Sequence, residues 1–513
     1  MIQGGGSEHD AARTGNDEAH ALTLRSSWTR LSRATRAEQV RTQDAALRHF
    51  VREELYPFSA YYRRVFDAAG VSPRDIRTVD DLRRLPLTTK QDLLGAQSSS
   101  ANKRDFVLIP TPRAIKEHWP FARKLALVLG GARARELVRS SYTPDFITFT
   151  TGRSADPVVF AYTPYDIDLL GESGTRMNDV HAIHDVDARI LNMFPYAPHL
   201  AFWQTTFGGL RAGRLMLSSG GGKVMGTSGN IKMAERLQPT VLIGTPGFVY
   251  HLLREMRERK TDLSAVKLII LGAEKVTPGL KRKMAESLEV CGARDVVISG
   301  TYGFTEARMA FGECPAGYDE TPGYHTYPDL GVFEVIDPKT LEPVREGESG
   351  ELVYTPIAGH GTVVCRYRTG DVAVGGITWE PCKWCGRTVP RISSELTRSS
   401  DQRALNLTKI KGTLVDLANI GALLSGMPEI EEWQVVLKKA HDDPHDLDEL
   451  VLRASLKNGA DASAFDKRVR AQMIEAVEIA PNRVELHTTE EMNAFTGMES
   501  EMKEKRFIDT RPK

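Results

Sequence analysis

A chain of 513 residues is too long for one ordinary core, so two or more domains are expected. Its 67 basic and 67 acidic side chains cancel, which excludes a global field for holding nucleic acid or an anionic membrane but leaves room for a small polyanion held by a few local donors. Hydrophobic content of 41% and charged content of 26% are those of a globular protein, and no apolar run approaches the roughly 18–20 residues that span a bilayer.

The first 25 residues are polar, Gly-rich and acid-bearing. They lack the apolar segment of a secretory signal and the acid-poor composition of a transit peptide, and they read as a disordered tail. Five cysteines, odd in number and irregularly spaced, do not suggest a secreted disulfide framework, so a reducing cytoplasm is the expected setting.

From about Trp28 to Ala69, apolar residues at three- and four-residue intervals (Leu47, Val51, Leu55, Phe58) predict helix. RTVDDLRRLPLTTKQDLL then predicts a short helix, an exposed turn at Pro86 and a helix start capped by Thr88 or Thr89. Between Phe146 and Gly300 the apolar runs RILNMF, TVLIGT, KLIILG and DVVISG alternate with helix-like GFVYHLLREMRER and PGLKRKMAESL. That alternation predicts a mostly parallel sheet covered by helices, an α/β domain. After about Pro328, GVFEVID, GELVYTP and TVVCRYRTGDVA are β-rich and joined by Gly/Pro/Asp turns, as in antiparallel hairpins or a small barrel. From about Arg398, LANIGALLSG, EEWQVVLK, ELVLRASL, AFDKRVRAQMIEAV and RVELHTT predict a small α+β unit, with TRSSDQR as a short polar hinge. The expected division is a tail over 1–25, a large domain over 26–397 and a small mobile domain over 398–513.

Three segments carry candidate chemistry. FTTGRSADP at 149–157 places hydroxyls and a glycine in a turn that can wrap phosphate oxygens; it lacks the spacing of a Walker loop, and an ordinary Thr/Gly turn is the alternative. SGTYGFTEARM at 299–309 follows a predicted strand end, the edge at which parallel sheets bind ligands. There an aromatic ring can stack on a base and Glu306 can hold Mg²⁺ that also binds phosphates; a plain strand–turn–helix is the alternative. RYRTGDV at 366–372 offers Asp371 to a ribose diol, or is a hairpin turn.

In this order, with KEKRFID at 503–509 closing the small unit, these segments resemble the adenylate-forming superfamily. FVREELYPFSAYYRRVFDAAGVSPRDIRTVDDLRRLPLTTKQDLL, TPGFVYHLLREM, LGAEKV and CGRTVPRI are similar in layout to its phenylacetate–CoA ligase branch, and the resemblance spans roughly residues 40–511. It implies ATP-dependent activation of a carboxylic acid as acyl-AMP, with coenzyme A as the implied acceptor. By position, Thr150, Thr151 and Gly152 fall on the phosphate loop. Ala273, Glu274, Tyr302 and Gly303 fall where the family contacts adenine. Thr305 falls at the phosphate, Glu306 at Mg²⁺ and Asp371 at the ribose. Arg398 and Asp401 match the hinge, and Lys503 matches the lysine of adenylate formation, with Lys505 as competitor. A carrier-protein thiol, an amine or another small molecule is the alternative acceptor, and a nucleotide-binding relative without turnover is the alternative of a different class. The chain departs from the family in four places: Phe149 ahead of the threonines, Ser-Ala-Asp between Arg153 and Pro157, QRALNL in the hinge, and Met502 before the lysine.

Tyr196, His199, Phe202 and Trp203 make one stretch rich in rings, suited to an aromatic or small carboxylate lying against Tyr302–Glu306, or to plain core packing. Cys382 and Cys385 form C-x-x-C, which with Cys314 and His325 gives four N/S ligands, a closed set for structural Zn²⁺. Such a zinc is carried by some members of the resembled branch; surface thiols beside an unrelated Cys and His are the alternative. Cys291 and Cys365 sit in apolar runs as packing residues. The reading requires neither nucleic acid nor membrane as partner, and a homodimer is compatible with it.

Overall fold

In the computed structural model the described residues are 27–99, 102, 104–150, 158–183, 188–196, 198–398, 408–410, 413–415, 417–439, 448–477, 479–498 and 504–511. Thr151, Gly152, Asp401 and Lys503 lie outside them.

The apolar runs form the centre of a nine-stranded sheet. Arg189–Asn192 lies between Leu215–Ser218 and Val241–Gly244, followed by Leu268–Leu271 and Val297–Phe304, all parallel. Val241–Gly244 and Leu268–Leu271 are buried at every position, as expected of strands covered on both faces. Beyond Val297–Phe304 the sheet turns antiparallel through Met309–Gly312, Tyr324–His325, Arg391–Ile392 and Ile377–Thr378. Because the chain steps from Arg189–Asn192 outward to Leu215–Ser218 and then back across to Val241–Gly244, the order reverses there. The carboxyl ends beside that reversal form the crevice in which such sheets bind ligands.

Helix starts are written in the chain as Thr-Pro. Pro112–His118, Pro164–Val180, Pro246–Glu258 and Pro278–Val290 each have a Thr N-cap and a Pro at the first helical turn. In three of them the threonine hydroxyl accepts from an N–H of the first turn, and proline loses only a donor that would have been unpaired. Pro164–Val180 packs against Leu200–Arg211 through Gly174 and Gly208; a Cβ on Gly174 would lie 2.4 Å from the Gly208 Cα, so the crossing requires small residues on both helices. The predicted N-terminal helix is instead segmented, into Arg36–His49, a wider π-helical turn Phe50–Leu55, and Ala60–Ala69 capped by Ser59. The start predicted near Thr88 or Thr89 falls at Thr89, whose capping box with Asp92 opens Lys90–Ser98.

The β-rich segment forms an open antiparallel sheet, Gly331–Ile336, Gly350–Pro356, Tyr367–Ala373 and Leu396–Arg398, rather than a closed barrel. C-terminal to it, Asp448–Leu456 and Ile430–Lys439 pair antiparallel, flanked by Arg483–Leu486 and Phe507–Asp509. Helices Leu417–Gly426 and Ala462–Val477 contribute Leu417, Ile420, Phe465 and Val469 to a separate core there with Trp433, Val435 and Leu452. Among the described residues no helix is long and apolar enough to cross a membrane.

Candidate functional site

At the carboxyl end of Leu268–Leu271 the chain turns sharply at Ala273, whose φ of 71° exposes it beside Glu274. In the neighbouring strand Val297–Phe304, Tyr302 is buried and its hydroxyl donates to Asp371 Oδ2 at 2.8 Å. Gly303 lies against Ala310, where an added Cβ would come within 2.9 Å of the Ala310 Cβ. The strand ends in the 3-10 turn Thr305–Ala307. Thr305 Oγ1 lies 3.5 Å from the Phe149 carbonyl oxygen, while Glu306 Oε1 accepts from the Tyr367 hydroxyl at 2.7 Å. Residues of the three motif segments, far apart in sequence, thereby meet at one sheet edge.

The first segment is held from two sides. The Phe149 N–H donates to Pro198 at 2.7 Å, and its carbonyl lies 3.2 Å from His199 Nδ1. Thr150 is fixed to Val158 by its N–H, at 3.0 Å, and by its hydroxyl accepting from the Val158 N–H at 2.9 Å. His199 is half-buried at the start of Leu200–Arg211, and Tyr196 is exposed with its ring edge-on to Phe202. Phe202 belongs to the core, and Trp203 packs on that core and on Phe146 and Phe207, so core packing accounts for two of the four rings. Arg398 ends its strand in register with Asp371.

Three supporting residues escaped the sequence reading. Tyr367 stands inside the quoted RYRTGDV, yet only the fold shows it against Glu306. Arg308, with φ of 56°, follows the Glu306 turn and sends its guanidinium to Asp166 and to the Ala358 carbonyl, thereby tying the turn to Pro164–Val180. Burial alone would raise the Asp166 carboxyl, but Arg308 and backbone N–H donors outweigh it and hold it below the usual range. An arginine directly after T-E-A was the available signal.

Cys314, His325, Cys382 and Cys385 form a second cluster, with their ligand atoms all within 4.8 Å of one another. Cys314 and Cys382 sulfurs are 3.6 Å apart, and Cys385 Sγ is 3.3 Å from His325 Nε2. A tetrahedral Zn²⁺ with S and N ligands at about 2.3 and 2.0–2.1 Å sets edges of about 3.5–3.8 Å, so the set fits. His325 Nδ1 lies 3.2 Å from the Gly312 carbonyl, an outer partner that would orient Nε2 inward. Contacts from Cys314 and Cys382 hold Cys385 far below the usual thiol range, and the same pairing drives Cys314 up. The turn that presents both knuckle thiols is closed by the Gly386 N–H on Cys382 O at 2.8 Å, with Gly386 at φ 69°.

A family described as AMP-binding enzyme matches residues 170–363. The phenylacetate-coenzyme A ligase of Thermus thermophilus is 27% identical over 398 residues, which cover 75% of this chain and 75% of that protein. Among solved structures, a 2-hydroxyisobutyryl-CoA ligase in the postadenylation state, in complex with 2-HIB-AMP, has a TM-score of 0.73 at 19% identity, covering 94% of this chain and 92% of that one. The same ligase with 2-HIB-AMP and CoA in the thioesterification state has a TM-score of 0.60 at 20% identity, covering 94% and 91%.

Proposed function

We infer that this chain, an AMP-binding enzyme of the adenylate-forming superfamily similar to its phenylacetate–CoA ligase branch, activates a carboxylic acid with ATP and passes the acyl group to the thiol of coenzyme A. The meeting of three distant motifs at the carboxyl edge of a parallel sheet carries this reading.

In the first half-reaction a carboxylate oxygen attacks the α-phosphorus and pyrophosphate leaves; in the second the thiol attacks the acyl carbon and AMP leaves. The first step brings two anions together, so it depends on positioning and on neutralised charge. Thr150, Thr151, Gly152 and Thr305 would hold the phosphates. Ala273, Glu274, Tyr302 and Gly303 would form the adenine wall, and Asp371, kept in place by Tyr302, would hold the ribose, with Arg398 at the hinge. Glu306, oriented by Tyr367, would carry Mg²⁺, which neutralises phosphate charge when bound. Lys503 would bring its ammonium to the reacting oxygens and withdraw with the small domain, residues 398–513, before the thiol arrives. Tyr196 and His199 would flank the acid. Cys314, His325, Cys382 and Cys385 would hold a structural Zn²⁺, with all four positions filled by protein and none left for substrate. Cytoplasmic conditions would keep these thiols reduced.

The 2-hydroxyisobutyryl-CoA ligase is known in both a postadenylation and a thioesterification state, and by analogy the small domain here would take more than one placement. The test is to form acyl-AMP, then supply coenzyme A, a carrier-protein thiol or an amine separately. Rapid consumption by coenzyme A alone is expected; consumption only by another acceptor overturns the coenzyme A assignment.

A further inference from the structure

Between the C-terminal unit and helix Pro246–Glu258 lies a layer of buried charge. Arg254 Nε meets Glu431 Oε1 at 2.5 Å and Arg254 Nη1 meets Glu432 Oε1 at 3.3 Å, with Arg254 and Glu431 each 6% exposed and Glu432 fully buried. The other Glu432 oxygen takes Arg506 Nη1 at 2.7 Å, and Arg506 Nε takes Glu504 Oε2 at 2.6 Å. Glu504 rests on Gly247, where an added Cβ would lie 1.8 Å from Oε1. Beside this chain, Lys283 of helix Pro278–Val290 donates to the Ile430 carbonyl at 2.7 Å. A continuous run of charges, Arg254–Glu432–Arg506–Glu504, thus ties the C-terminal segment to the large unit.

Its location gives it a direction. Gly247 follows Val241–Gly244 at the carboxyl edge of the parallel sheet, the edge that also carries Ala273 and Tyr302–Glu306. Glu504 is the residue after Lys503. Whatever fixes Glu504 on Gly247 therefore fixes the described C-terminal segment, residues 504–511, at the edge where the motifs meet. The chemistry of the contact also suits a part that must let go. Apolar surfaces would be expensive to expose, whereas buried ion pairs have given up hydration that they regain on separation, so they impose a geometry without a large net attraction.

We propose that Arg254 and Glu432 are positioning residues for the adenylation half-reaction: through Arg506 and Glu504 they select the placement of the small unit that serves acyl-AMP formation, and they part when coenzyme A is to react. The proposal rests on the adenylating reading above. Arg254→Gln and Glu432→Gln are each expected to slow acyl-AMP formation by on the order of 10²-fold, while attack of coenzyme A on preformed acyl-AMP stays within about 3-fold of wild type. Arg254→Lys, which keeps a cation facing both Glu431 and Glu432, should recover at least tenfold of the loss. A purely structural role would depress both half-reactions together. Equal loss in both, or no loss in either, overturns the proposal. Hydrogen exchange supplies a readout that needs no turnover: amides of 247–254 and 430–433 should exchange faster in Arg254→Gln, return toward wild type in Arg254→Lys, and leave the core of 450–454 unchanged. Unchanged exchange at 247–254 and 430–433 overturns the proposal even if the chain adenylates nothing. A wild type that forms no acyl-AMP but shows this exchange pattern overturns the adenylating reading alone.

Discussion

The run of strands Val297–Phe304, Met309–Gly312 and Tyr324–His325 serves two clusters of opposite build. At the first, Tyr302, Thr305 and Glu306 leave a sheet edge, and Asp371 and Glu306 each receive a tyrosine hydroxyl. A tyrosine hydroxyl on a carboxylate at a sheet edge orients it, an arrangement suited to a ligand that comes and goes. At the second, Cys314, His325, Cys382 and Cys385 turn their donor atoms onto one point, an arrangement for a ligand that stays. The contrast separates chemistry from folding: damage to the first cluster should cost rate with the fold intact, and damage to the second should cost stability before rate.

The largest effect expected under this contrast comes from Lys503, the lysine proposed to serve acyl-AMP formation. Lys503→Ala should slow acyl-AMP formation by about 10³-fold or more, while coenzyme A still consumes preformed acyl-AMP at nearly the wild-type rate, as single-turnover quenching would show. Lys505→Ala is the control for register, and wild-type adenylation in both variants would remove the lysine from the mechanism. Glu306→Gln comes next. Loss of the carboxylate charge should cut adenylation by about 10²-fold, some 2.7 kcal/mol of barrier, with an unchanged melting curve. A folded variant with wild-type exchange would place Mg²⁺ elsewhere.

The order reverses at the second cluster. Metal analysis should find about one Zn²⁺ per chain, and Cys382→Ser should lose it along with several kcal/mol of stability, while activity measured well below the lowered melting temperature stays within a few-fold of wild type. A metal-free protein of undiminished stability would contradict this. The last effect concerns the interface. Burial, opposed by Glu432 and Glu431, lowers Lys283 from the usual 10.5 to about 8, with Lys457 and Arg506 adding to the fall. Below pH 8 the lysine is protonated folded or unfolded, so its contribution is flat. Between about 8 and 10.5 the unfolded chain binds the extra proton, so the folded state gains stability as pH rises, by at most about 3 kcal/mol. The wild-type curve minus that of Lys283→Met should show this slope; parallel curves would rule it out.

Local signals were legible in the sequence and long-range pairings were not. RILNMF, TVLIGT, KLIILG and DVVISG read as strands because both faces are covered and the apolar run is unbroken. Leu215–Ser218 escaped because it lies at the sheet edge, partly exposed along its length. The helical pattern expected from about Trp28 to Ala69 is present in segments, with Pro57 and the cap at Ser59 marking one break. All four ligands of the cluster, Cys314, His325, Cys382 and Cys385, were legible in the sequence; the antiparallel turn of the sheet that brings Cys314 and His325 to the knuckle was not. Tyr302 on Asp371 and Tyr367 on Glu306 depend on how two sheets face each other, which no spacing encodes. The Arg254–Glu432–Arg506 layer reads in sequence as ordinary surface charge, and only the packing of two units buries it.

Pyrophosphate exchange into ATP, run over a panel of aromatic and small carboxylates without any acceptor, decides whether this chain adenylates an acid. Exchange that requires one class of acid and falls about 10²-fold in Glu306→Gln is the predicted result. ATP binding with no exchange on any acid would contradict the account and leave a nucleotide-binding protein without turnover.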